Sequence, residues 1–262
     1  MTSVLSQAQD FTTLYNFTGA DDGAYPSTLV QATDGNLYGT DYSAIFRMTP
    51  GGEVSVLDTL PGYGFGPLIQ ASDGNLYGVA SSGDSVIRVT LDGTMTTLHT
   101  FQFDEGSKPV GALVQASDGN LYGATEFGGA NYDGTLFEVS LSGDFTLLHS
   151  FAGDDGEWPF GNLVEDTSGN LYGVSTLGGS GGGGVVFVWN IRTRTLTKLH
   201  DFIGDDGAPY ASLIRSSDGN LYGTTYAGGP NVKGTIYSIT PAGRFQTVHS
   251  FDGVEAACHK PR

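Results

Sequence analysis

A single cysteine, Cys258, stands in 262 residues, so no intrachain disulfide can form and the fold must rest on packing and hydrogen bonds. Positive charge is nearly as scarce. Lys and Arg number 11 against 28 Asp and Glu, a formal net charge of −17, which repels phosphate backbones and anionic lipid and argues against nucleic-acid and membrane-surface partners. No stretch of about 18 apolar residues occurs, as a spanning helix would need, and residues 1–10 lack the basic start and apolar run of a signal peptide. The chain as given therefore reads as cytoplasmic, or as secreted if a leader was removed. No window sustains an apolar period of 3.6, so almost no helix is expected. Gly-x-Ser-x-Gly, His-Glu-x-x-His and phosphate-loop motifs are missing too, and the glycine run 178–184 lacks the Lys and helix of a phosphate cradle.

What the chain has in abundance is glycine, 41 residues, placed at fixed points among apolar runs as turn residues. The organising stretch is Ser117-Asp118-Gly119-Asn120-Leu121-Tyr122-Gly123. Near-copies end at Gly39, Gly78, Gly173 and Gly223, so the tyrosines are spaced 39, 45, 50 and 50 residues apart, the period of a repeat architecture. Before each copy lies a short apolar run such as Leu29-Val30-Gln31-Ala32. The Asp-Gly pair between them suits the left-handed conformations of a two-residue hairpin. Behind each copy comes a variable loop, then a third strand such as 135–140, a tight turn, and an outer strand. The outer strand recurs six times, at 11–17, 54–60, 95–101, 145–151, 196–202 and 245–251. Each unit is thus four short antiparallel strands with both faces apolar, which can be buried only by packing such sheets radially.

The expected fold is all-β, a five-bladed β-propeller of four-stranded antiparallel blades. A tail over 1–10, one domain over 11–251 and a tail over 252–262 complete the organisation, with no place for a second domain. Six outer strands are one too many. The N-terminal strand is expected to pair into the last blade and lock the ring.

The pattern Phe151-x-Gly153-Asp154-Asp155-Gly156, then Leu163-Val164, then Ser168-Gly169-Asn170-Leu171-Tyr172-Gly173 with a Gly-Gly loop behind it resembles the Gloeo-Verruco (GloVer) tandem repeat of bacterial and some fungal proteins. The resemblance covers nearly the whole chain and implies a propeller-like repeat protein. It carries no catalytic motif to transfer. The first two units depart from it, with third loops shortened to 41–44 and 82–84, and the second offers 61–67 in place of Asp-Asp-Gly.

In such a blade the variable loops share one end and the tight turns the other, and function concentrates in loops on a rigid scaffold. Units three to five lengthen the same loop, at 126–134, 177–184 and 227–234, so the rim has a high side that suits a pocket over the axis, although drift among repeats also lengthens loops. The acid pairs Asp21/Asp22, Asp104/Glu105, Asp154/Asp155 and Asp205/Asp206 lie in separate units, too few oxygens in one place for a hard cation. No metal and no cofactor are expected. Those acids remain acceptors for sugar hydroxyls, and flat rings accompany them: Tyr25, Tyr63, Phe65, Trp158, Phe160 and Tyr210 in one loop set, Tyr42, Phe127, Tyr132 and Tyr226 in the other. Packing between blades is the competing role for each ring. The ligand-binding candidates are Trp158, Tyr25, Tyr63, Phe65, Tyr210, Phe160, Tyr132, Tyr226, Asp155, Asp206, Asp22 and Glu126. His99, His149, His200 and His249 occupy one equivalent position in successive units, too far apart for a metal, and read as structural.

Three functions remain open. The first is a monomeric, lectin-like protein binding a small neutral or cationic molecule or glycan on the loop-rich face. The second is a metal-independent lyase, isomerase or pericyclase with one axial pocket, using Tyr, Asp or Glu as acid and base. The third is a protein-interaction scaffold.

Overall fold

The computed structural model describes residues 11–19, 24–41, 44–59 and 66–253. Each repeat folds as one antiparallel sheet. Blade one holds β1 (Leu29–Gln31), β2 (Leu37–Thr40), β3 (Ala44–Met48) and β4 (Val54–Thr59). Blade two holds β5 (Ile69–Gln70), β6 (Leu76–Ala80), β7 (Ser85–Val89) and β8 (Met95–Thr100). Blade three holds β9 (Ser107–Gln115), β10 (Leu121–Phe127), β11 (Thr135–Val139) and β12 (Phe145–Ser150), and blade four β13 (Glu157–Glu165), β14 (Asn170–Leu177), β15 (Val185–Asn190) and β16 (Thr195–Asp201). In blade five the inner strand is broken into β17 (Ala208–Pro209) and β18 (Ile214–Arg215), followed by β19 (Leu221–Ala227), β20 (Thr235–Ile239) and β21 (Phe245–Ser250). The helical content among the described residues is two 3-10 turns, Ser81–Gly83 and Gly204–Asp206.

The repeated motif works through its carboxylate. Asp118 Oδ1 accepts the Asn120 backbone N–H at 3.1 Å and Oδ2 accepts the Tyr122 hydroxyl at 2.7 Å, so one side chain pins the turn to the strand that follows it. Asp34, Asp73 and Asp218 do the same for Tyr38, Tyr77 and Tyr222. In blade four, Ser168 takes the place of that aspartate. Asp166, two residues earlier, reaches Tyr172 OH instead, at 2.9 Å. The turn itself differs from the two-residue hairpin expected of Asp-Gly. Gly119 N donates to Ala116 O and Ala116 N to Asn120 O, and of the pair only the glycine is left-handed, at φ 90°. Holding Asn120 and Tyr122 fixes Asp118 in an ordinary conformation and leaves the positive φ to glycine.

Alternation along the strand sends motif leucine and tyrosine to opposite faces: Leu121 packs against blade two and Tyr122 against blade four. The motif glycine makes room inside its own blade rather than for a neighbouring one. A Cβ on Gly123 would stand 2.5 Å from Phe137 Cζ and 2.9 Å from Leu113 Cδ2. Four apolar clusters join blades one to two, two to three, three to four and four to five. Polar ties support three of these junctions, from Thr33 N to Gln70 Oε1, Ser72 N to Gln115 Oε1 and Ser117 N to Glu165 Oε1, at 2.8–3.0 Å. Arg215 holds the corresponding place in blade five and has no acceptor to offer.

The ring-closing expectation is corrected. Blade five is completed by its own β21, which hydrogen-bonds to β20, while 11–17 forms no strand and lies against blade one. The turn 240–244 brings β21 to β20 with little loop entropy to lose, so a partner from the far end of the chain is pre-empted.

Candidate functional site

Inner strands of successive blades run side by side near the axis. Ala112 N donates to Asn162 Oδ1 at 2.6 Å, and Asn162 N to Ser212 Oγ at 2.9 Å. The meander puts the loops entering each inner strand and the loops between second and third strands at one end. In blades three to five the latter fold back on glycine: Gly129 N, Gly179 N and Gly229 N each donate to a carbonyl of the entering loop, at Phe103, Gly153 and Asp205. Beneath them Thr125 and Thr135, and likewise Thr225 and Thr235, pair their buried hydroxyls at 2.8 and 2.9 Å. Blade two has only its 3-10 turn at that place.

On this rim two aromatic groups form. In the first, Phe127 and Trp158 meet edge to face at 5.4 Å across blades three and four. Lys108 lies 5.2 Å from the centre of the Phe127 ring and pairs with Glu126. Trp158 is 36% exposed, its backbone N–H donates to Asp133 O at 2.9 Å, and its backbone carbonyl accepts from the Thr176 hydroxyl at 3.3 Å. In the second group Phe160 stands 5.1 Å from Tyr210, which stands 6.4 Å from Tyr226, bridging blades four and five. Tyr132 packs with Phe103 at 5.5 Å, and Tyr25, in the loop entering the inner strand of blade one, is exposed. Tyr42, Tyr63, Phe65 and Asp22 lie outside the described residues.

The candidate acids divide. Glu126 faces the rim with Lys108. Asp155 and Asp206 are tied into their own loops: Asp155 lies 2.8 Å from His149 Nε2 and accepts Ala152 N–H at 2.9 Å, and Asp206 lies 3.2 Å from His200 Nε2 and accepts Ile203 N–H. Glu105 makes the same pair with His99. The repeated histidine is thus a loop anchor in these three blades, and burial holds His200 below its ordinary pKa against the pull of Asp206. Among the described residues no three His, Cys, Asp or Glu side chains gather as a metal site would need. No described helix is long and apolar enough to cross a membrane.

Lys108 escaped the sequence reading, yet a signal for it exists. It precedes Pro109 as Trp158 precedes Pro159 and Tyr25 precedes Pro26, one position in three repeats. All three are left-handed, at φ 55°, 55° and 57°, conformations that cost a non-glycine residue energy and that cluster at functional sites. In blade three Asp84 Oδ1 accepts the Lys108 N–H at 2.5 Å, so the preceding blade helps hold that backbone.

Radial antiparallel blades with one loop-bearing rim define a β-propeller. Solved structures with this fold include catalytically inactive virginiamycin B lyase from Staphylococcus aureus with Quinupristin, at TM-score 0.68 and 19% identity over 87% of this chain and 71% of that one. A gluconolactonase from Xanthomonas campestris matches at TM-score 0.57 and 14% identity, covering 90% of this chain and 77% of that one. The extracellular domain of a hybrid two-component system from B. thetaiotaomicron matches at 0.65 and 17%, covering 94% and 33%. No curated protein matches the sequence. The Gloeobacter/Verrucomicrobia repeat matches residues 65–261, and the chain belongs to that family.

Proposed function

We propose that this propeller binds a small, neutral or cationic, ring-shaped polar molecule, of which a sugar is the simplest kind, on the rim of blades three to five. The observation that carries the reading is the group Lys108, Glu126, Phe127 and Trp158. A half-exposed indole is held on a left-handed backbone beside a second ring and an ion pair. The indole gives a flat apolar platform, while Glu126 and Lys108 give an acceptor and donors at its edge. Phe160, Tyr210 and Tyr226 extend the aromatic surface toward blade five.

Isothermal titration with neutral mono- and disaccharides tests this on wild type, Trp158→Ala and Glu126→Gln. One equivalent per chain is expected, with Trp158→Ala weakening binding about tenfold or more, some 1.4 kcal/mol. Melting temperature should change little, because the ring is partly in solvent and the left-handed backbone strain is unrelieved by alanine. Titration silent to every sugar overturns the sugar reading, and several equivalents per chain would move the site to a repeated element instead of this group. Consumption of the ligand during the titration would favour the metal-independent enzyme.

A further inference from the structure

The two ends of the blade series differ from its four internal junctions. On blade four, Val164, Tyr172, Val174, Val186 and Leu199 pack against Leu213, Leu221, Tyr237 and Ile239 of blade five. The counterparts on blade five are Ile214, Tyr222, Thr224, Ile236 and Val248. Among the described residues no blade covers them: Ile214 is 66% and Val248 52% exposed, and the first four line a shallow groove. At the opposite end, Leu29 of blade one is 53% exposed, whereas Leu68, Leu113, Leu163 and Leu213 at the same place are 2–7% exposed. Beside Leu29 lies a cavity of about 380 Å³, also lined by Phe46, Met48 and the segment 11–17.

That segment shows what fits there. Phe17 meets Phe46 at 5.0 Å, as Phe101 meets Phe137 at 4.9 Å and Phe202 meets Tyr237 at 5.2 Å. Gly52 lies against the Leu14 carbonyl as Gly143 lies against that of Leu98 and Gly243 against that of Leu199. Phe101 and Phe202 follow the outer strand of the preceding blade, and Leu98 and Leu199 belong to it. Residues 11–17 thus hold the seat of an outer strand without the three strands that would stand inside it, and the cavity marks their place.

We propose that both open faces are seats for further blades of this same repeat, making these five blades a section of a larger ring. Ile214, Tyr222, Thr224, Ile236 and Val248 are themselves uncharged and repeat the residue types that meet a following blade at the internal junctions. The five-blade section spans 71% of the Staphylococcus aureus lyase chain, and the remainder has room for about two blades of this size.

Inserting a second copy of residues 152–251 after Phe251 of the full chain supplies two blades in register and tests the proposal. The parent should bind a hydrophobic dye through its open face, and the extended chain should lose that binding and melt about 5 °C or more higher. Ile214→Asp provides the second reading. In the parent it should shift melting by no more than about 2 °C, because the side chain is in solvent, and in the extended chain by about 5 °C or more, because a carboxylate is then buried without a partner. Equal effects of Ile214→Asp in the two chains, or an extended chain that gains no stability or fails to fold, overturn the proposal. A parent that sediments as a dimer and becomes monomeric with Ile214→Asp also overturns it, by making a second copy the occupant.

Discussion

Alanine at Gly123 should destabilise the protein by about 1–3 kcal/mol, while alanine at the equivalent Gly78 should be close to neutral. The added methyl is the same. What differs is the ring: both methyls meet the end of an equivalent leucine at 2.9 Å, Leu113 or Leu68, but at Gly123 the methyl also meets the fully buried Phe137 ring at 2.5 Å. Blade two carries Ile87 where blade three carries Phe137, so no ring lies under its glycine. Neither glycine is left-handed, so alanine also removes freedom from the unfolded chain, worth about 0.4–1 kcal/mol in its favour. At Gly78 that gain roughly offsets a small adjustment of Leu68, and at Gly123 it does not. Thermal denaturation should show Gly123→Ala melting about 3–10 °C early. Phe137→Leu should recover part of that loss in the double mutant, because the removed ring edge is what the methyl strikes. Equal melting of Gly78→Ala and Gly123→Ala would refute the role given to the ring.

Alkaline pH should unfold this protein abruptly. Burial, then the hydrogen bond to the turn aspartate, pushes the Tyr77 and Tyr172 hydroxyls up to about 12, and the same causes raise Tyr38 and Tyr122. Burial alone raises Tyr237, whose hydroxyl has no hydrogen-bond partner among the described residues. In the unfolded chain these groups ionise near 10. The unfolded state therefore sheds protons that the native state keeps, so this stabilisation is whole below about pH 10 and is lost as pH rises from there toward the native values. Melting temperature should fall steeply above pH 10, with tyrosinate absorbance appearing together with loss of the β signal in circular dichroism. Tyr122→Phe should lessen the slope. Tyrosines that titrate near 10 in a protein retaining its native spectrum would contradict the account. On the acid side the sign reverses. Burial raises the Asp34, Asp73 and Asp166 carboxyls, but hydrogen bonds from asparagine and tyrosine outweigh it and hold them below the ordinary range, so that contribution is present above about pH 4 and lost below it.

The blade plan was legible because its signals are local: alternation gives strands, Asp-Gly gives turns, and a period of 39 to 50 residues gives the repeat. The destination of 11–17 was not. Its composition matches the other outer strands, but a strand needs a partner, and β20 is already served by β21 across a short turn. At the rim, ring and acid types marked the loop-bearing end of the blades, where two aromatic groups form. They did not show that Asp155 and Asp206 would be tied to histidines six residues back, nor that Lys108 would lie over Phe127, because both depend on loop geometry beyond the reach of spacing.

Blade four shows what the motif constrains. There the carboxylate has moved from the position of Ser168 to Asp166, and it still receives the Tyr172 hydroxyl and the Asn170 amide. The requirement is for a negative oxygen at one point in space, and the chain can deliver it from more than one residue. A spelling change that breaks a sequence match can therefore leave a blade intact, whereas a spelling that survives without a reachable carboxylate leaves a buried phenol stranded, so blades in such chains are better counted by tyrosines with acceptors than by letters.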